Sequence, residues 1–190
     1  MYQKYHTDAL VLGSREVGEA DRALALYTRD FGLVWARATG VRKESSKMRY
    51  ALQSYARANV SLVRGKHGWR AAGASCQGIA LMDAAGLAVF ARIAQLVVRL
   101  VAGEERNEYL FDALVEAHTS LGSADADMLP TIEIVCVARV LYALGYLSAE
   151  ALQTALFSHT AYGIDHLREA ETVRDDLLLS INRALSETHL

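Results

Sequence analysis

A dense run of cations lies between Trp35 and Arg70 in this chain of 190 residues. The stretch contains nine Lys or Arg residues and a single acid, Glu44. Cations gathered in this way are the electrostatic footprint of a surface that meets a polyanion. Because strand-like segments flank the run and the rest of the chain is acidic, the pattern favours contact with nucleic acid over an ordinary solvated loop.

Charge is distributed unevenly along the chain, although the formal net charge is only −2. Residues 1–78 carry 13 Lys and Arg against 6 Asp and Glu, whereas residues 79–190 carry 7 against 16. A basic half joined to an acidic half suggests two modules that face different partners. The sequence therefore predicts a basic domain over 1–78 and an acidic domain over 79–190.

The basic half shows the short apolar runs and turn residues that are typical of strands. The predicted strands are 9–12, 21–28, 33–39, 57–63 and 69–75. Gly13 is expected to end the first of them. In the third, a period of two places Trp35 and Arg37 on one face, opposite Val34 and Ala36. Five short strands with one long excursion fit a small closed barrel.

The acidic half changes to apolar residues that recur three and four positions apart, which predicts amphipathic helices. The expected helices cover about 87–101, 109–121, 129–144, 148–157 and 167–185, with Pro130 in the first turn of the third. The junction between the halves is expected near 75–84. The predicted fold class is therefore α+β, a barrel followed by an all-α helical bundle.

Several functional classes find no support in the sequence. Arg92 and Arg99 interrupt the best candidate for a membrane span, and the N-terminus is too polar for a signal peptide. Cys76 and Cys136 are the only cysteines, which excludes a disulfide framework and a cysteine-rich metal site. No catalytic motif of nucleophile, base or metal ligands can be assembled. We expect a cytoplasmic protein that is not an enzyme and needs no cofactor or metal.

Short segments in the first half match a known family in their order along the chain. They are Thr7-Asp8-Ala9-Leu10-Val11-Leu12, Gly18-Glu19-Ala20-Asp21-Arg22, Gly32, Gly40-Val41-Arg42-Lys43, Leu52-Gln53-Ser54-Tyr55, and Arg64-Gly65 before Trp69. Together they span about residues 5–75, and the set resembles the RecO family of bacterial recombination mediators. In the helical half, Leu144-Gly145-Tyr146-Leu147 agrees as well.

This resemblance implies an N-terminal five-stranded OB-fold barrel followed by a helical partner-binding domain. It also implies binding of single-stranded and double-stranded DNA, annealing of complementary strands, and help in loading recombinase onto strands coated by single-strand-binding protein. The implied partners are RecR, the tail of single-strand-binding protein and, indirectly, the recombinase RecA. The implied location is the bacterial cytoplasm, in association with the nucleoid.

One departure from the family concerns zinc. Many members carry a four-cysteine zinc motif after the Gly-Tyr-Leu segment, and here only His159 and His166 lie in that region. We therefore expect this chain to fold and to function without zinc.

An OB-fold binds single strands by following the phosphates with cations and by stacking bases on aromatic rings. The predicted nucleic-acid-binding residues are Trp35, Arg37, Arg42, Lys43, Lys47, Arg49, Arg57 and Arg70. The loop 40–49 is expected to be mobile, and Trp35 is open to two interpretations, base stacking or packing against the helical half. Tyr50 and Tyr55 are predicted to be core or hinge residues, and Asp21-Arg22 to form a structural ion pair or to cap a turn.

Alternatives to a recombination mediator remain open at this point. A generic OB-fold binder of single-stranded DNA or RNA would show the same basic loop but would not anneal strands. A helical interaction protein whose basic module contacts an acidic protein would show no affinity for nucleic acid at moderate salt. An enzyme is the third alternative, and the chain offers no set of catalytic residues for it.

Overall fold

The computed structural model describes residues 3–77, 82–148 and 155–188. The strands are β1 Lys4–Val17, β2 Asp21–Thr28, β3 Gly32–Ala38, β4 Arg57–Gly65 and β5 Gly68–Cys76. The described helices are α1 Ala84–Leu100, α2 Glu108–Leu121, α3 Leu129–Ala143, α4 Ile164–Thr172 and α5 Arg174–Glu187, with a short 3₁₀ helix at Ala155–Phe157. The predicted fold class, a five-stranded barrel followed by helices, is confirmed.

The five strands form a closed barrel in the order β1-β2-β3-β5-β4. Strand β1 is 14 residues long and pairs antiparallel with both β2 and β4, which brings the two ends of the sheet together. Neighbouring strands are antiparallel except β3 and β5, which run parallel and pair only at Ala36–Trp69 and Arg37–Arg70. Closure leaves each strand with a partner on both sides, so the sheet has no free edge.

The first strand is longer than the sequence predicts, because Gly13 does not end it. The pairing of β1 with β2 shifts between Val11 and Gly13, which marks a β-bulge, and the strand continues to Val17. Glycine within a strand often marks such a bulge, since the extra residue bends the chain. The consequence is that Arg15 and Glu16 belong to the barrel wall and not to a turn.

The barrel interior is filled by small and branched side chains that alternate along the strands, as the period of two predicts. Val34, Ala36 and Ala38 of β3 are buried, whereas Trp35 and Arg37 are exposed. The excursion between β3 and β4 also contributes to this core, through the buried residues Val41, Ala51 and Leu52. The predicted mobile loop is therefore anchored at both ends by apolar contacts with the barrel.

The chain divides into two compact units, and the first comprises Met1–Ile79 with Ala94–Phe111. Within this unit Tyr27 stacks on Phe111 with ring centroids 6.4 Å apart. Burial, together with the nearby Glu105 carboxylate, raises the pKa of the Tyr27 hydroxyl. The predicted domain border after residue 78 lies outside the described residues and stays a prediction.

The second unit comprises Ala80–Ile93 with Asp112–Leu190 and is helical. Its most unusual residue is Arg139 on α3, whose side chain is fully buried. The guanidinium donates hydrogen bonds to the carbonyl oxygens of Leu156, Thr160 and Ala161 at 2.8–3.0 Å. A buried cation is tolerated when its donors are satisfied, so Arg139 fixes the segment that precedes α4. None of the described helices is long and apolar enough to cross a bilayer.

Two helix predictions differ from the structure. The single helix predicted over 167–185 is wrong, because the chain breaks at Val173 into α4 and α5. The Thr172 hydroxyl donates to the Glu169 carbonyl at 2.7 Å, and such local bonds on a residue of low helix propensity favour an interruption. For the helix predicted over 148–157, residues 149–154 lie outside the described residues, and Ala155–Phe157 is a 3₁₀ turn.

Candidate nucleic-acid interface

Strand pairing places Arg37 and Arg70 side by side on the outer face of the barrel. The two residues are partners in the parallel pairing of β3 with β5, so their backbones lie about 4.8 Å apart. Both side chains are exposed, and with Lys66 and His67 they line a cleft of about 410 Å³. Among the described residues that line this cleft none is acidic, so it offers a positively charged concave surface.

Trp35 lies on the same face, two residues before Arg37. Its side chain is 47% exposed, and the Arg15 guanidinium lies 5.3 Å from the centre of its ring. An exposed indole beside cations is the arrangement that stacks a base while a phosphate is held nearby. Arg15 was not among the predicted site residues, because β1 was expected to end at Gly13. If Gly13 is interpreted as a bulge instead, the predicted strand continues past it and includes Arg15.

Asp21 connects this face to the basic loop. Its carboxylate accepts a hydrogen bond from the Gly40 backbone N–H at 2.8 Å, and two from Arg37 at 2.9 and 2.7 Å. The Gly40 bond first, and the Arg37 bonds second, lower the pKa of Asp21. Asp21 therefore orients Arg37 and caps the turn that opens the loop. The structural role predicted for Asp21 is confirmed, with Arg37 as its ion-pair partner.

The basic loop starts beside the turn between β1 and β2. The Arg42 backbone N–H donates to the Ala20 carbonyl at 3.0 Å, and its guanidinium pairs with Glu16 at 3.0 Å. Three further predicted cations of this loop, Lys43, Lys47 and Arg49, are exposed and have no ion-pair partner in the described part of the chain. The loop thus presents one ion-paired cation, Arg42, and three exposed cations.

Arg57 lies apart from the other predicted residues. It pairs with Leu10 of β1, and Leu10 pairs in turn with Tyr27 of β2. Arg37 pairs with Ala23, four residues before Tyr27 on β2, which places the two arginines about 13 Å apart along the strand direction. The Arg57 Nε atom is buried without a hydrogen-bond acceptor. The structure does not bring Arg57 into the cluster around Trp35.

The two tyrosines that flank the loop differ. Tyr50 was predicted to be a core or hinge residue, but its side chain is 70% exposed. Tyr55 redirects the chain, since its backbone has φ +68° and its N–H donates to the Val11 carbonyl at 2.6 Å, and its role as a hinge stays a prediction. Sequence reasoning missed Tyr50 because exposure of an aromatic residue in an irregular segment has no periodic signal.

The residues of the second unit do not fit the zinc site that many family members carry. The His159 and His166 rings lie 3.9 Å apart, but the Arg139 guanidinium is 3.3 Å from His159 Nδ1. Burial first, then His166 and Arg139, lower the pKa of His159. Within the described residues, no group of three or more His, Cys, Asp or Glu side chains could hold a metal ion. The zinc-free state stays a prediction.

Comparison with known proteins agrees with the barrel. The family profile described as Recombination protein O N terminal matches residues 1–70. The barrel therefore matches the N-terminal domain of the RecO family. The resemblance drawn from the short segments of the first half is therefore confirmed.

Individual relatives extend the match beyond the barrel. A DNA repair protein RecO from Pelotomaculum thermopropionicum is 34% identical over 144 residues, which are 72% of this chain and 55% of the relative. Proteins of the same name from Desulfitobacterium hafniense and Heliobacterium modesticaldum are 48% and 46% identical over 62 and 63 residues, 33% of this chain and 23% of each relative. The chain thus matches about half the length of the first relative and less of the others.

Proposed function

We propose that this chain is a DNA repair and recombination mediator that binds single-stranded DNA on the outer face of its barrel. The observation that carries the proposal is the cluster of Trp35, Arg37 and Arg70, with Arg15 over the indole. Cations of this kind contact phosphates, and the half-exposed ring offers a surface for one base. The relatives, each named a DNA repair protein, support the same class of function.

The finer activity that we propose is annealing of complementary strands. Two polyanions must approach each other, so a catalyst of pairing has to screen phosphates while it leaves base edges free. Lys43, Lys47 and Arg49 meet this need because they are exposed cations that can screen phosphates. A surface with many cations and few exposed rings favours loose contact over tight sequence readout.

The proposal extends to partners. The proposed partners are those that the resemblance to the RecO family implies. They are RecR, the tail of single-strand-binding protein and the recombinase RecA, which would act on the same strands. The acidic half of the chain disfavours DNA and leaves protein docking as its role. The activity proposed is binding and pairing, not catalysis of bond cleavage, and it would take place in the bacterial cytoplasm, where the chromosome lies.

Salt dependence tests the DNA site. Each phosphate contact with a single strand contributes about −0.7 to the slope of log affinity against log salt. Replacing Arg42 and Lys43 together with alanine should flatten the slope by about one unit. The matched control replaces Arg168 and Arg183 of the second unit, which removes the same charge from exposed helix positions and should leave the slope unchanged. Equal slopes for both double variants would place the DNA elsewhere.

Annealing separates a mediator from a generic OB-fold binder. The wild-type protein should accelerate pairing of complementary strands, also when they are coated with single-strand-binding protein. Arg42→Glu with Lys43→Glu should abolish most of that acceleration, since the reversed charges repel phosphates. Circular dichroism must show that the variant is folded. A wild-type protein that binds single strands without accelerating their pairing would refute the mediator and favour the generic binder.

A further inference from the structure

One cation of the basic loop already holds an anion. Arg42 Nη1 lies 3.0 Å from a carboxylate oxygen of Glu16, and the same atom lies 3.4 Å from the Gly18 carbonyl oxygen. The Arg42 side chain is 32% exposed, whereas Glu16 is 62% exposed. The arginine is thus held against the turn between β1 and β2, while its acidic partner remains on the surface.

The position of this pair is fixed by the backbone. The Arg42 N–H donates to the Ala20 carbonyl at 3.0 Å, and Gly40 is held by Asp21. Glu16 is the neighbour of Arg15, the residue that covers Trp35. In the strand register Glu16 lies opposite Arg22, which lies opposite the buried Ala38, so its side chain is on the other side of the strand from Arg15. The Glu16 carboxylate therefore lies beside the loop, against Arg42, and not beside the indole.

We infer that Glu16 is an internal competitor that occupies Arg42 in the free protein and must be displaced when a phosphodiester binds there. The inference rests on the proposed function, because it concerns the contact that Arg42 is proposed to make with DNA. Carboxylate and phosphate oxygens offer arginine the same acceptors, so the two compete for one guanidinium. Displacement weakens the hold on each strand, which suits a protein that has to release the strands after they pair.

The expected size of the effect follows from the exposure of the pair. Exposed ion pairs stabilise by about 0.2–1 kcal/mol, so removing the competitor should raise affinity for single-stranded DNA about 1.5- to fivefold. The gain should be largest at low salt, because screening weakens an exposed pair at high salt and leaves little to displace.

The test compares Glu16→Gln with Glu19→Gln, using a labelled single-stranded oligonucleotide and the full chain. Glu19 is exposed in the same turn and has no ion-pair partner among the residues described, so its change alters the net charge equally. We expect the affinity of Glu16→Gln to exceed that of Glu19→Gln by about 1.5- to fivefold. In an Arg42→Ala background the gain from Glu16→Gln should fall to that of Glu19→Gln.

The outcomes are distinct. The inference that Glu16 competes for Arg42 would be refuted by equal gains in affinity from the two glutamine variants. A gain from Glu16→Gln that persists in the Arg42→Ala background would refute it as well. A wild-type protein that shows no affinity for single strands at low salt would overturn the proposed function itself. If Glu16→Gln fails to fold, Glu16→Asp replaces it, since the shorter acid keeps the charge but reaches Arg42 less well. That variant should raise affinity above Glu19→Asp, and equality would again refute the inference.

Discussion

Replacing Gly32 with alanine should destabilise the barrel by more than the strain of a positive φ alone would. Gly32 opens β3 with φ +63°, in the left-handed region where a Cβ atom costs about 1–2 kcal/mol. A Cβ at this position would also lie 2.1 Å from the Glu105 carbonyl oxygen and 2.8 Å from the carbonyl carbon. Because both are backbone atoms, no side-chain rotation can relieve the overlap.

The magnitude follows from adding the two effects. Overpacking against atoms that cannot move aside costs about 1–3 kcal/mol, so Gly32→Ala should lower the free energy of unfolding by about 2–5 kcal/mol. Gly18→Ala is the matched control, since Gly18 has φ +64° and an added Cβ would meet nothing within 4 Å. It should cost only about 1–2 kcal/mol.

Urea denaturation followed by tryptophan fluorescence measures both variants. The only two tryptophans, Trp35 and Trp69, lie on β3 and β5, so the signal reports on the barrel. The reasoning fails if the two variants lose the same stability. Equal losses would mean that the segment containing Glu105 does not approach Gly32 as closely as described, or that it moves away without cost.

Three further predictions concern buried or charged groups. Arg139→Met should lower the free energy of unfolding of the second unit by about 3–5 kcal/mol, because three carbonyl groups lose their donor. The control is Arg92→Met, at an exposed ion pair with Glu133, which should lower the same free energy by about 1 kcal/mol or less. Burial raises the pKa of the Cys136 thiol to about 11, so a thiol reagent at pH 8 should modify only the exposed Cys76 in native protein and both cysteines in denaturant; two fast-reacting native thiols would contradict this. Because the pKa of Asp21 is lowered in the folded state, its stabilising effect is present above the unfolded value near 3.8 and is lost as pH falls through the folded value. Asp21→Asn should therefore lower the melting temperature at pH 7, and this loss should shrink as the pH falls below about 3.8. A loss that does not change with pH would refute the role of the charge.

Much of the barrel could be predicted from local pattern alone. Strand β2 has the predicted bounds, because its apolar residues and flanking turns leave one consistent interpretation. The period of two also placed Trp35 and Arg37 on the outer face. Gly13 misled the prediction, since a glycine ends some strands and bulges others, and only the partner strand distinguishes the two cases.

The assembled site was harder to predict than its members. Arg37 and Arg70 are neighbours through a parallel pairing of strands distant in the sequence, and no local pattern specifies such a register. Arg57 has the same charge and the same outward phase on its strand, yet it lies on another part of the barrel wall. The burial of Arg139 was equally hidden, because its acceptors are backbone carbonyls that every residue carries.

The excursion from β3 to β4 has a consequence for how this sequence can vary. Val41 and Leu52 fill the barrel interior while the cations between them face solvent, and Tyr55 redirects the chain through a left-handed backbone. The number of residues between the two anchors sets whether both reach the core. Insertions or deletions there should therefore unfold the barrel, while the identities of the exposed polar residues remain open to substitution. A designer can thus rewrite the chemistry of this segment one side chain at a time, provided that its length is kept.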